Sequence, residues 1–115
     1  MTSRSRAAVA DLAETAPIFA ALGDETRLFI VARLCEDGPL SIVRLTNGSK
    51  ISRQAVTKHL SALSKAGLVR SERSGRERIW NLETKRLAHI RQYLAYVSDQ
   101  WDDALGRLRA FVETE

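Results

Sequence analysis

The sequence predicts a mainly α-helical domain with one small β-hairpin, in the order α-α-α-α-β-β-α. Apolar residues recur at helical spacing in five segments, and glycine, proline or polar turn residues separate these segments. Only the stretch on either side of Ser74 and Gly75 has the apolar pattern of two paired strands around a tight turn. The length of 115 residues corresponds to a single domain.

The first two helices are predicted from periodic apolar positions and from signals at their ends. Residues 9–22 have helical periodicity, and Pro17 is expected to kink this helix or to restart it. Asp24 is a favourable N-cap for a second helix, which continues until the glycine and proline at residues 38–39 terminate it. The two helices are therefore expected to meet at a short turn.

Two short helices and the hairpin come next. Ser41 is the predicted N-cap of the third helix, which ends at a turn containing Gly48. Ser52 opens a fourth helix, and Gly67 stands where a left-handed C-cap is expected. Two short helices joined by a turn and followed by a hairpin suggest a winged helix-turn-helix.

The last segment, residues 83–112, is predicted to form one long helix. Two apolar series, each with a spacing of seven residues, interleave as the seam of a coiled coil. Such a seam is too apolar to face water, so we expect it to pack against the first helix and against a second copy of the chain. The seam residues are Leu87, Ile90, Leu94, Val97, Trp101, Ala104, Leu108 and Phe111.

Positive charge is concentrated in one part of the chain. Residues 50–91 contain eleven basic and three acidic side chains, a formal charge of +8, whereas the whole chain carries +4. Clustering of this kind is typical of a surface that binds a polyanion, although a solvated charged surface is the simpler alternative.

The fourth helix combines an apolar side with short or flexible hydrogen-bond donors in its N-terminal half. Arginine can pair with guanine, glutamine with adenine, and serine or threonine with phosphate, so these residues are predicted to contact DNA. The alternative for the helix is an ordinary polar surface helix, and the alternative for the hairpin is an exposed lattice of charges. For His59, a hydrogen bond on the flank of the helix is the alternative to a DNA contact. The predicted DNA contacts are Ser52, Arg53, Gln54, Thr57, Lys58, His59 and Ser61 on the helix, and Arg73, Arg76 and Arg78 in the hairpin.

Three stretches carry a family resemblance. Residues 19–28 read FAALGDETRL and look like the opening of repressors of the ArsR type, also called ArsR/SmtB. Residues 52–63 read SRQAVTKHLSAL and resemble the recognition helix of that family, and AGLV follows at residues 66–69, as it does there. The resemblance covers about residues 17–82, and within it residues 25–27 are expected to serve helix capping and orientation.

The resemblance implies a homodimeric winged helix-turn-helix repressor that dimerises through its first and last helices. The division expected for the chain is a flexible N-terminus over residues 1–8 and a single domain over residues 9–115. Within that domain, about residues 24–82 form the DNA-binding core and residues 83–112 the dimerisation helix. The predicted interface residues are Leu12, Phe19, Leu87, Ile90, Leu94, Val97, Trp101 and Leu108.

The sequence departs from relatives that sense metals. Residues 40–45 lack the thiol pair of the best-known sensor site, and the sole cysteine, Cys35, lies in the apolar pattern of the second helix as an expected packing residue. A histidine and an aspartate of the last helix could be the ligands of a metal, but His89 is separated from Asp99 by ten residues. This is about 15 Å along one helix, too far for both residues of one subunit to bind the same ion. An antiparallel crossing of two copies, bringing His89 near Asp99 or Asp102, is the open alternative. No metal and no cofactor are therefore predicted.

The remaining features favour a regulator over other classes. No nucleophile elbow, phosphate loop or metal triad indicates an enzyme, and no apolar stretch is long enough to cross a membrane. A single cysteine and the lack of a secretory signal at the start favour the cytoplasm.

The leading hypothesis is a repressor that binds double-stranded DNA at an inverted-repeat operator. One alternative is a protein-interaction scaffold that uses the hairpin and the long helix. The other is a sensor gated by an unspecified small molecule at the dimer interface, near the aromatic residues Trp80, Tyr93, Tyr96 and Trp101.

Overall fold

The computed structural model describes residues 12–114, so the predicted flexible segment 1–8 lies outside the described residues. Within them, the mainly helical fold with a hairpin wing is confirmed, and one short strand is added. The elements are α1 (Leu12–Leu22), α2 (Glu25–Asp37), β1 (Leu40–Ser41), α3 (Ile42–Thr46), α4 (Arg53–Lys65), β2 (Val69–Ser74), β3 (Glu77–Leu82) and α5 (Leu87–Glu113).

The predicted N-caps of α2, α3 and α4 are confirmed. In each, a side-chain oxygen accepts a hydrogen bond from the backbone N–H three residues later, at 3.0–3.3 Å. The pairs are Asp24 with Arg27, Ser41 with Arg44, and Ser52 with Ala55.

Helix α1 continues through Pro17 as a single helix, so the predicted restart at this residue is wrong. Pro17 is exposed, while Thr15 and Ile18 beside it are buried. The packing of this inner face outweighs the one backbone hydrogen bond that proline removes.

The hairpin belongs to a three-stranded antiparallel sheet with the strand order β1-β3-β2. Strand β1 was missed in the sequence because two residues are too short to show an alternating pattern. It pairs Leu40 with Trp80, which ties the start of α3 to the base of the hairpin. At the tip, Gly75 has a φ of +64° and is followed by Arg76, which presents its side chain at the two-residue loop.

The core forms where α4 packs against α1, α2, α3 and the base of the sheet. Helix α4 contributes Val56, Leu60 and Leu63, of which the last two are fully buried. Helix α2 contributes Ile30 and Leu34, one helical turn apart. The side of α4 opposite these contacts is thereby left at the surface.

The expectation that Cys35 is a packed thiol is wrong, because its side chain is exposed. Ile30 and Leu34 define the inward face of α2, and Cys35 lies about 100° around the helix from Leu34. Leu28 and Phe29 on α2 are likewise about half exposed.

Helix α5 begins at Leu87, four residues later than predicted. The N–H of Glu83 donates to the carbonyl of Leu68 at 2.8 Å, which keeps this residue in the connection to the sheet. The N-terminal half of α5 packs on α1, where the rings of Phe19 and Tyr93 meet edge to face at 5.7 Å. The C-terminal half, residues 98–114, is exposed throughout.

Gly67 joins α4 to the sheet in a conformation that disfavours any larger residue. Its φ is +78°, and a Cβ added there would lie 2.9 Å from Nε of Arg86. We therefore expect Gly67→Ala to lower the free energy of unfolding by about 1–2 kcal/mol, measured by denaturant titration. Gly48→Ala is the matched control, because Gly48 has a φ of +74° but no atom within 4 Å of an added Cβ. Equal losses in the two variants would exclude a contribution from the Arg86 contact.

Candidate nucleic-acid interface

The outer side of α4 presents the polar residues predicted to contact DNA. The side chains of Val56, Leu60 and Leu63 are held in the core, which fixes the opposite side of the helix toward solvent. With the exception of the half-buried His59, every predicted contact on this helix is exposed. The exposed set consists of Ser52, Arg53, Gln54, Thr57, Lys58 and Ser61.

The exposed residues of α4 differ in how they are already bonded. Ser52 Oγ caps the helix, and Thr57 Oγ1 donates to the carbonyl of Arg53 at 2.7 Å. Among residues 12–114, the structure gives no side-chain partner to the guanidinium of Arg53, the amide of Gln54 or the ammonium of Lys58. These three long side chains retain their full hydrogen-bonding capacity for a ligand.

The wing, residues 69–82, places like charges directly opposite each other. Arg73 pairs in register with Arg78, and both side chains are exposed. Like charges at facing positions are unfavourable, and a polyanion bound along this edge would relieve their repulsion. Arg78 Nη1 donates to Ser71 Oγ at 2.7 Å, so its guanidinium is held back along the hairpin. Arg76, in the loop that joins the strands of Arg73 and Arg78, is also exposed.

His59 forms a contact on the flank of α4 instead of standing free in solvent. Its Nδ1 accepts a hydrogen bond from Nε of Arg27 at 3.2 Å and lies 3.8 Å from Oδ2 of Asp24. The side chain is 23% exposed, so a DNA contact by His59 stays a prediction beside this observed bond. Sequence reasoning did not identify Arg27 as a residue of this site, although it lies within the FAALGDETRL stretch that carried the resemblance.

The residues considered for metal binding are separated in the structure. Cys35 lies on the exposed side of α2, and His89 on α5 lies 3.8 Å from the Glu14 carboxylate of α1. Within residues 12–114, no three histidine, cysteine or carboxylate side chains converge as a set of metal ligands. The absence of a metal from the function stays a prediction.

The four aromatic residues considered for an effector pocket are not collected in one protomer. Trp80 is buried at the base of the sheet, and Tyr93 on α5 packs on Phe19. Farther along α5, Tyr96 is half-buried and Trp101 is exposed. A different, open groove of about 940 Å³ lies along the first half of α5. It is lined by Thr84, Leu87, Ala88, Ile90, Arg91, Gln92, Leu94 and Ala95.

Helices α3 and α4 form a helix-turn-helix in which α4 exposes a side rich in hydrogen-bond donors, and an arginine-rich wing follows. This combination defines a winged helix-turn-helix DNA-binding protein. The comparisons with known proteins identify the family. Residues 22–72 match the profile of a helix-turn-helix domain. The chain belongs to the ArsR family of helix-turn-helix transcriptional regulators, which bind DNA and are not enzymes.

The relatives are matched over most of their length. YuzN of Bacillus subtilis, an HTH-type transcriptional regulator, is 46% identical over 79 residues, which cover 64% of this chain and 86% of YuzN. The HTH-type transcriptional regulator Rv2034 of Mycobacterium tuberculosis is 36% identical over 95 residues, covering 83% of this chain and 85% of that protein. Among solved structures, an ArsR-like transcriptional regulator from Rhodococcus is 36% identical with a TM-score of 0.75, covering 93% of this chain and 97% of the other.

No helix within residues 12–114 is both long enough and apolar enough to cross a membrane.

Proposed function

We propose that the protein is a homodimeric repressor that acts in the cytoplasm by occupying an inverted-repeat operator. The observation that carries this proposal is the exposed N-terminal half of α4, where Arg53 and Gln54 have no side-chain partner among residues 12–114. The wing beside it places Arg73 opposite Arg78. Helix α4 would enter the major groove, and the wing would lie along the phosphate backbone.

The second copy is inferred from the unpartnered seam of α5. Leu94, Trp101 and Leu108 are each more than half exposed in the protomer. Leu87 and Ile90 at the start of the same seam pack against the core, so the apolar stripe continues from a covered region into solvent. A contiguous apolar surface of this kind marks an interface. Because the apolar residues of this helix have heptad spacing, a second copy of the chain is the simplest partner.

A two-fold dimer would give the operator its symmetry. The two copies of α4 would be presented to successive major grooves, about 34–36 Å apart. Each half-site would then be read by one helix, and the half-sites would form an inverted repeat. Occupation of such a site within a promoter blocks access of other proteins to it.

Fluorescence anisotropy with DNA from the promoter of its own gene, at several salt concentrations, tests this function. We expect operator binding at least about 10³-fold tighter than binding to random DNA, with log Kd rising steeply with log salt. A scaffold for other proteins would show no steep salt dependence of binding, either with the operator or with random DNA. That result would overturn the proposal.

The wing is expected to supply affinity without base preference. Arg76→Ala should weaken binding to operator and to random DNA by the same factor and lower the salt slope by about one unit, because one phosphate contact is lost. Arg107→Ala, which removes an exposed arginine from α5, is the control and should leave the slope unchanged. Loss of discrimination between the two DNAs in Arg76→Ala would instead assign base readout to the wing.

Transition metals are expected to leave DNA binding unchanged. A metal sensor needs three or four converging ligands, whereas this chain has one cysteine and two histidines. Titration of zinc, nickel, cadmium and arsenite into the DNA complex should cause no release below about millimolar concentrations, where nonspecific side-chain binding begins. Stoichiometric micromolar binding coupled to DNA release would contradict this expectation, and His89→Ala would then be the first variant to examine.

A further inference from the structure

The recognition helix α4 is bonded to α2 through one polar contact on its flank. Arg27 Nε donates to His59 Nδ1 at 3.2 Å, and Arg27 Nη1 donates to the carbonyl of Ala21 at 3.3 Å. The backbone N–H of the same arginine donates to Asp24 Oδ2, the N-cap of α2. Arg27 therefore joins the end of α1, the start of α2 and the flank of α4.

The chemistry of the donor fixes the direction of this bond. A guanidinium has only donors, so Nδ1 of His59 is the acceptor. Asp24 Oδ2 lies 3.8 Å from the same nitrogen, which is beyond hydrogen-bond distance.

The contact acts on the rotation of α4 about its own axis. Leu60 and Val56 hold the helix in the core through the hydrophobic effect, which is not directional. The Arg27–His59 bond is directional and lies on the flank between the buried face and the exposed Lys58. Because α4 is one rigid helix, its rotation also sets the direction of Arg53 and Gln54.

We propose that Arg27 is a positioning residue for DNA recognition, which acts through His59 Nδ1 to fix the rotation of α4 toward the bases. Arg27 makes no DNA contact of its own in this arrangement. The inference rests on the proposed function of α4 as the DNA-reading helix.

A double-mutant cycle with Arg27→Ala and His59→Ala tests the proposal. Operator and random DNA are titrated with the wild type, both single variants and the double variant over a range of salt. We expect Arg27→Ala to weaken operator binding by roughly 5- to 20-fold with little effect on random DNA and an unchanged salt slope. The double variant should bind no more weakly than His59→Ala, because the two residues act as one unit.

Conservative variants separate positioning from a general loss of structure. His59→Asn keeps an acceptor near the position of Nδ1 and should restore most of the operator affinity that His59→Ala loses. His59→Gln carries its amide farther out and should not. Arg33→Ala on the same helix is the control for loss of an arginine from α2; Arg33 bonds the Asp37 carboxylate and the carbonyl of Arg44, neither of which lies on α4. Thermal unfolding of every variant shows that the proteins compared are folded.

Three results would overturn the proposal and leave the proposed function intact. A salt slope lowered by about one unit in Arg27→Ala would show a direct phosphate contact. Additive losses in the double variant would show that Arg27 acts independently of His59, and wild-type operator affinity in Arg27→Ala would show that it has no part in recognition. A wild type that does not distinguish operator from random DNA would overturn the proposed function itself, and the inference with it.

Discussion

Trp101→Asp is expected to convert the protein into a folded monomer and to abolish operator binding. The side chain is 65% exposed in the protomer, so the substitution removes no core contact. In the proposed dimer it lies in the middle of the α5 seam, where a buried carboxylate without a partner is strongly unfavourable. Loss of a central interface aromatic costs about 2 kcal/mol or more, and each monomer can then hold only one half-site.

Analytical ultracentrifugation and anisotropy with the operator measure the two consequences. Ala110→Asp is the matched control, because it adds the same charge to an exposed position of α5 away from the seam. It should remain dimeric and bind the operator as the wild type does. Circular dichroism of Trp101→Asp should retain the helical signal of the wild type. A stable Trp101→Asp monomer with wild-type operator affinity would refute the role of the seam in DNA binding.

Gln54→Ala is expected to weaken operator binding by about 1–3 kcal/mol and to relax the base preference at one position of each half-site. Gln54 is exposed near the start of α4, and its amide has both the donor and the acceptor that adenine requires. Binding to random DNA should change little, because the substitution removes no charge. The salt slope should therefore equal that of the wild type.

The comparison is made by anisotropy with the operator and with single-base variants of it. Ser64→Ala provides the control, because Ser64 is exposed on α4 but lies near its C-terminal end. It should leave both affinity and base preference unchanged. Equal losses on operator and random DNA for Gln54→Ala would show that the residue contributes to backbone affinity and not to direct readout.

Much of the fold was predictable because its signals are local. A helix cap requires a short polar side chain within three residues of the N–H that it binds, so Ser41 and Ser52 could be assigned from the sequence. A left-handed turn favours glycine, which placed Gly67 just beyond the end of α4 and Gly75 just beyond the first hairpin strand. The DNA-binding family was likewise readable from contiguous residues, because the recognition helix is a single segment.

Features that depend on neighbours distant in sequence were not predictable in this way. Strand β1 exists because Leu40 meets Trp80, forty residues away. The exposure of Cys35 follows from the angle at which Ile30 and Leu34 seat α2 on the core, since apolar character alone does not select which side of a helix is covered.

The sequence by itself determined the order of the helices and of the hairpin, the caps of α2, α3 and α4, the basic segment and the polar side of α4, since each depends on spacing or charge along the chain. Only the tertiary structure decided which donors in the site are already bonded. Arg27 and His59 are 32 residues apart, and their contact exists because the core brings the start of α2 against the flank of α4. A directional hydrogen bond between two helices depends on distance and angle in space, and neither has a signature in sequence spacing.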